Sequence, residues 1–320
     1  MKAVFSWVNL PGRRFIRVFT AGFAAGSLLI WRRWGYPEKS SDFVQILIAA
    51  RAWLAGQDPY AAVQAWGGWP YPLLYPFPAV LVAAPLAVVP NWVAEGLFIA
   101  LSTALLAWGA TREEVVSPRL VMFVSPPFLH ALAFVQWSPL LTGAALVPWA
   151  GFLLVCKPTV GLALFAGFPG WRMIVGATAL LVSSVLAWPG WIAEWRHALA
   201  DAPNAIAPIT LCGGPLILLV LIKWRRSESR LVAALACVPH TTLMYEALPL
   251  FLVPRTWLEA GILWCGTFVA LVGHASAGPY PSQAAWVRAA GVWLVFCAYL
   301  PCLIMILRRS NVTSDLFKQR

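Results

Sequence analysis

The chain has 320 residues, 61% of them hydrophobic and only 11% charged, with a mean hydropathy of +0.75. A soluble domain carries roughly 25% charged and about 45–50% apolar residues, so too little polar surface exists here to coat a water-soluble fold. The same figures exclude disorder, and the net charge of +11 falls in short clusters beside apolar runs, a pattern of membrane flanks and not of a nucleic-acid-binding stripe.

The expected fold is therefore all-α: a polytopic integral membrane protein, one transmembrane domain over residues 1–320, with roughly ten transmembrane helices of about 20 apolar residues each. The first run, 18–31, follows Arg13, Arg14 and Arg17 and closes at Trp31, Arg32, Arg33 and Trp34, as an uncleaved, interface-anchored helix does. Further clear runs cover 92–110, 119–136, 172–190, 205–222, 256–273 and 288–307. Shorter or broken ones cover 76–90, 139–170 (two short helices) and 231–253. No fixed-period repeat and no soluble domain is visible.

Lysine and arginine clusters place the N-terminus, the 223–230 loop and a 310–320 tail in the cytoplasm, leaving 32–75, 191–204 and 274–287 outside. Between Arg230 and Arg308 the obvious runs number three, yet a return to the same side needs an even number of crossings. Parity is restored if Pro239 and His240 split the run 231–253 into two half-helices that turn back. Broken backbone at membrane depth is tolerated only where protein buries it or it lines a wet cavity, which makes the Pro239 region a site candidate.

The first outer loop, 32–75, is the informative one. Ser41 and Asp42 form a helix-start signal, and Phe43, Ile46, Leu47, Ala50 and Leu54 then recur on one face, predicting an amphipathic surface helix that ends at Gly56. Asp58, Pro59 and Tyr60 give turn chemistry, and WPYPLLYPFP, with four prolines in ten residues, forms a stiff lead into the next helix.

Only twelve carboxylates occur in the chain, so each can be weighed. Glu113, Glu114, Glu228 and Asp315 read as solvated. Glu95, Glu246 and Glu259 fall within apolar runs, where an ionisable group is costly and a functional role is the default; for Glu95 and Glu259 a place at the interface is the alternative. Asp42 either caps the surface helix or carries chemistry. Lys157, in CKPTVG, either snorkels or pairs with an anion, with Pro158 breaking the helix beside it. Gln136 either satisfies a helix end or lines a cavity. The six cysteines lie in apolar segments without CxxC spacing, and no His, Cys or carboxylate set has metal-ligand spacing. No P-loop, Rossmann fingerprint or nucleophile elbow is present.

Several segments in series, namely SDF at 41–43, GQDPY at 56–60, YPFP at 75–78 followed by APLAVVP at 84–90, SPPFLHALAFVQ at 125–136 and KP at 157–158, resemble glycosyltransferase family 87 over roughly residues 15–255. These are GT-C class membrane enzymes similar to polyprenol-phosphate-mannose-dependent alpha-mannosyltransferases. The resemblance implies a GT-C-like architecture in a bacterial plasma membrane with the active site on the outer face. There a sugar, mannose in such relatives, passes from a polyprenyl-phosphate donor to a lipid or glycan acceptor. It implies Asp42 as catalytic base, Lys157 against the lipid phosphate and GQDPY with Asp58 and Tyr60 as a shaping loop; beside these, Gln136, Tyr75, His240 and Tyr245 are candidate substrate-binding residues, His240 as a phosphate holder with Lys157. Arg51 is a further candidate phosphate holder. The donor is the substrate, with no metal and no other cofactor expected, and membrane lipids but no nucleic acid as partners. The chain departs from the family where Pro239 is followed at once by His240, and it lacks the usual basic loop before KP. A transporter or lipid flippase, or a non-catalytic membrane assembly subunit, are the alternative readings.

Overall fold

The computed structural model describes residues 11–35, 41–67, 71–113, 116–200, 205–239 and 244–309. Glu114, His240, Asp315 and the expected 310–320 tail lie outside the described residues. Among the described residues the chain is all helical, with no strand. In chain order the α-helices are α1 (Pro11–Gly35), α2 (Asp42–Leu54), α3 (Pro59–Trp66), α4 (Phe77–Ala83), α5 (Asn91–Ala110), α6 (Pro126–Phe134), α7 (Ser138–Leu146), α8 (Pro158–Gly167), α9 (Trp171–Ala187), α10 (Trp191–Ala200), α11 (Ser227–Cys237), α12 (Trp257–Ser276), α13 (Gln283–Leu294) and α14 (Leu300–Arg308). Pro118–Val124, Pro148–Cys156, Gly214–Lys223 and Met244–Leu252 are 3-10 helices, and a π-helical turn, Val295–Tyr299, joins α13 to α14.

Among the described residues three helical stretches are long and apolar enough to cross a membrane: α5, α12 and the continuous Gln283–Arg308. The count rises to five if each bent pair, α6 with α7 (120°) and α9 with α10 (97°), is one span. The apolar runs outnumber these because proline punctuates them. Pro126, Pro139, Pro148 and Pro158 each stand in the first turn of a new helix, where the missing N–H costs nothing and the preceding helix must stop. The stretch 139–170 accordingly holds three short pieces, one more than expected. The ten residues of α8 rise about 15 Å, half of a hydrocarbon core of about 30 Å. The exterior is apolar, with Leu186, Leu258, Ile222 and Trp171 largely exposed, as suits a lipid-facing surface.

Helix α5 is the central post. Gly22 and Gly26 of α1 lie against it so closely that a Cβ on Gly22 would sit 2.8 Å from the Ala100 carbonyl oxygen. On another side a Cβ on Gly143 of α7 would lie 2.7 Å from the Leu106 nitrogen. Small residues permitting close backbone approach are the usual means of helix association in lipid, where no hydrophobic drive operates between helices. At one end of α1 the Arg14 guanidinium donates to the Thr111 carbonyl at the end of α5; at the other end Ser41 donates to Glu95 near the start of α5.

Two expectations are corrected here. Helix α2 starts at Asp42 as read, but it is no surface helix: Phe43, Val44, Gln45, Ile46, Leu47, Ala49, Ala50 and Ala52 are all buried. Apolar residues fall on its reverse face too, and α4, α5 and the chain between them cover it. Glu228 is not solvated either. It is buried and receives Arg255 at 2.6 Å and Arg309 at 3.0 Å, while Arg309 also reaches Glu259 at 3.0 Å. Burial raises the Glu228 carboxyl, but a backbone hydrogen bond and the two arginines outweigh it and hold the group below its ordinary value. This cluster fixes the C-terminal part of the fold: the chain leaves Glu228, returns to it at Arg255, and returns again at Arg309. The run 231–253 is indeed split, into α11 and the 3-10 helix Met244–Leu252, and every residue of the latter is buried.

Candidate functional site

The site is assembled at breaks in helices. Val135, Gln136 and Trp137 form the 120° corner between α6 and α7. Val135 has φ +53°, a left-handed conformation that is a true outlier for a β-branched residue. Such strain persists only where the surroundings over-determine it. Here Trp137, wholly buried, stacks edge-on against Phe98 (5.0 Å) and lies 6.3 Å from Phe43, which itself stacks on Phe98 at 4.1 Å. The packed rings hold the corner and aim the wholly buried Gln136 inward.

Gln136 bridges the site. Its Nε2 donates to Asp42 Oδ2, and its Oε1 lies 3.5 Å from both Lys157 Nζ and the Tyr75 hydroxyl. Lys157 stands at the break between the 3-10 helix Pro148–Cys156 and α8. It forms an ion pair of 3.2 Å with Glu246 Oε1, its side chain 14% exposed and that of Glu246 2%. Its ammonium lies 4.8 Å from the centre of the Tyr245 ring and 6.0 Å from that of Tyr75. His130 of α6 stands edge-on behind Tyr245 at 5.9 Å.

Of the residues expected at a site, the structure thus brings together Asp42, Gln136, Lys157, Tyr75 and Tyr245. His240 lies outside the described residues. Asp42 is the first residue of α2, while Ser41 holds the capping position without a side-chain cap bond. The Asp42 carboxylate faces Gln136 instead. Its pKa is pushed up to about 6, above all by burial and slightly by Glu246, with Lys157 and the Gln136 hydrogen bond pulling it back.

Asp58 and Tyr60 stand apart as supports. Asp58 Oδ1 accepts from the backbone N–H groups of Tyr60 (2.8 Å) and Ala61 (3.1 Å), capping α3. The Tyr60 hydroxyl donates to the Tyr75 carbonyl at 3.2 Å and so steadies the loop that presents Tyr75. Arg51 is corrected from phosphate holder to brace: its guanidinium donates to the carbonyls of Ala87 and Val89 and to Asn91 Oδ1 at 2.7–2.9 Å, tying α2 to the start of α5.

Glu246 is the site residue whose place the sequence did not give. Its signal was a carboxylate inside an apolar run; its partner depends on the chain returning past Pro239 to Lys157. The strained Val135 left no sequence signal. Among the described residues no group of three His, Cys, Asp or Glu side chains could hold a metal ion. A half-open apolar groove of about 380 Å³ is lined by Val124 and by residues of α6, among them His130, and of α12. Comparison with protein-family models, with curated proteins and with solved structures finds no match to this chain.

Proposed function

We propose that this protein is a membrane glycosyltransferase of GT-C type, moving a sugar from a polyprenyl-phosphate donor to a lipid or glycan hydroxyl on the outer face. The observation that carries the reading is the bridge Asp42–Gln136–Lys157. One buried amide holds a carboxylate on one side and a cation on the other, which are the groups that a displacement at a phosphate-linked sugar carbon requires.

In this mechanism the ionised Asp42 takes the proton of the acceptor hydroxyl as its oxygen bonds to the anomeric carbon. The bond from that carbon to the phosphate oxygen breaks, its electron pair leaves on the lipid phosphate, and Lys157 stabilises the growing negative charge. A single in-line displacement inverts the anomeric carbon, so a beta-linked donor gives an alpha product. Gln136 donates to the base and accepts from the cation, which fixes their relative orientation. Tyr75 and Tyr245 flank the ammonium. The apolar groove of about 380 Å³ suits the first isoprenoid units of the donor, since His130, which lines it, packs edge-on against the Tyr245 ring that also meets Lys157.

The topology that goes with this reading puts the N-terminus, the Glu228 cluster and the C-terminus in the cytoplasm. The α11 half-helix and the Met244–Leu252 half-helix then enter and leave from the same side, and a count near ten requires other short helices to cross in pairs. The buried Lys157–Glu246 pair beside Asp42 also favours a second reading, a proton-coupled transporter built on broken helices. Incubating the purified protein with radiolabelled polyprenyl-phosphate sugars and a membrane-lipid extract separates the two. A labelled glycosylated product supports the transferase, whereas no product together with uptake of a solute into proteoliposomes supports the transporter.

A further inference from the structure

The Glu228 cluster, away from the Asp42 site, holds more cations than its carboxylates can occupy. Glu228 receives Arg255 and Arg309, and Glu259 receives the Arg309 guanidinium at 3.0 Å and the Arg255 backbone N–H at 2.7 Å. Both acids are thus engaged by the same two arginines. The Arg255 side chain is nevertheless 57% exposed, and the exposed Arg225 and Arg308 stand three residues before Glu228 and one before Arg309 in the chain. Helix α11 adds to the imbalance. It begins here at Ser227, and Arg226 in its capping position gives no side-chain cap, so the positive end of the helix dipole joins the same surface.

The surroundings of this patch are those of a lipid boundary. Trp224 precedes Arg225, which lies 5.9 Å over its ring, and Trp257 follows Arg255 by two residues. The two indoles are 59% and 53% exposed. Exposed tryptophan settles at the headgroup level of a bilayer, which puts the neighbouring guanidiniums at the depth of the lipid phosphates. Past Trp257, the exposed Leu258 and Ile262 lie one turn apart on α12 and continue the surface as an apolar strip.

We propose that this patch is a binding site for an anionic phospholipid: its phosphodiester headgroup lies among Arg225, Arg255 and Arg308, and its acyl chains follow Leu258 and Ile262 along α12. Charge complementarity selects an anion, and the planar guanidinium forks match phosphate oxygens. A zwitterionic lipid brings its own ammonium, which the arginines repel. By joining the start of α12 to the ends of α14 and of the 3-10 helix Gly214–Lys223, the bound lipid stabilises the C-terminal part of the fold. The site is independent of the chemistry at Asp42.

The test uses the purified full chain in a neutral detergent, titrated with dioleoyl phosphatidylglycerol or dioleoyl phosphatidylcholine. Thermal unfolding and retained lipid by native mass spectrometry are the readouts. Phosphatidylglycerol is expected to raise the unfolding temperature saturably, and phosphatidylcholine to leave it unchanged. Arg225→Gln and Arg308→Gln are each expected to weaken phosphatidylglycerol about fivefold, and together about twentyfold. Arg196→Gln, which removes an exposed arginine of α10 and makes the same change in charge, is expected to bind as wild type does. If Arg196→Gln loosens binding as much as Arg225→Gln, the attraction is one of overall charge and the site is overturned. Equal stabilisation by phosphatidylcholine overturns it too, as does a wild-type Kd in the double variant. Should the double variant fail to fold, the two single variants decide by the same measure. Sugar transfer at Asp42 is read separately, so failure here leaves the transferase reading standing.

Discussion

At the residue scale the account turns on the ionisation of Asp42. Burial lifts its pKa from 3.8 to about 6, so the ionised form that can accept a proton becomes the majority only as pH rises through about 6. The kcat/KM of transfer is therefore expected to climb with pH across that value and level off above it. Lys157 and Gln136 both lower this pKa. In Gln136→Leu the inflection in the residual activity is expected to move to higher pH, and a downward shift or an unmoved inflection contradicts the placement of Asp42 against that amide. Arg51, by contrast, spends its donors on backbone carbonyls and Asn91. Arg51→Ala is expected to lower thermal stability while leaving donor affinity in the surviving protein unchanged.

At the element scale the corner between α6 and α7 stores strain in order to place Gln136. A left-handed β-branched residue costs of order 1–3 kcal/mol, and glycine there gives back about 0.5–1 kcal/mol through its larger loss of chain freedom. Val135 is also wholly buried, so removing its side chain forfeits about 1.5–3 kcal/mol of burial; Val135→Gly is thus expected to leave the unfolding temperature no higher than wild type and to lower turnover, because a relaxed corner no longer fixes the amide between base and cation. A variant both more stable and fully active would show that the strain serves no purpose at the site. The contact of α5 with α7 gives the opposite case. Gly143→Val drives its side chain into the Leu106 backbone, at a cost of about 1–3 kcal/mol or more, and a thermal-shift measurement is expected to show marked destabilisation.

At the scale of the whole molecule, the turning points fix which loops share a side. Tyr71 donates to Gln283, and the Trp195 indole donates to the Leu74 carbonyl at 3.0 Å, so the loops read as outer ones meet at one end. Glu228, Arg255 and Arg309 meet in the other cluster. In a cysteine-free background, an impermeant thiol reagent applied to intact cells is expected to label the exposed positions Gln57→Cys and Ser282→Cys and to leave Ser227→Cys untouched. The reverse pattern would invert the topology.

Local chemistry made much of this legible in the sequence. Ser41–Asp42 announced the start of α2, Pro158 the break beside Lys157, Pro239 the split of a run, and Asp58 the cap before Pro59. What the sequence left out depends on distant partners. Hydropathy alone does not show that α2 is covered on its far side, that Glu228 is enclosed by Arg255 and Arg309, or that Glu246 reaches Lys157. Nor does it foretell how far a proline-broken run can reach, which is why apolar runs outnumber the helices long enough to span.

The most direct test of the central claim is the rate of sugar transfer from a radiolabelled polyprenyl-phosphate donor by Asp42→Asn, with Asp58→Asn as the comparison. Asparagine keeps the size of the side chain and can still accept the Gln136 hydrogen bond, so the fold and donor binding are expected to persist. Loss of a general base is expected to cut turnover by roughly a hundred- to ten-thousand-fold, whereas Asp58→Asn, whose carboxylate only caps α3, keeps most of its rate. Wild-type turnover in Asp42→Asn would contradict the account, and if Asp58→Asn were the inactive variant, the base would have to be sought at Asp58.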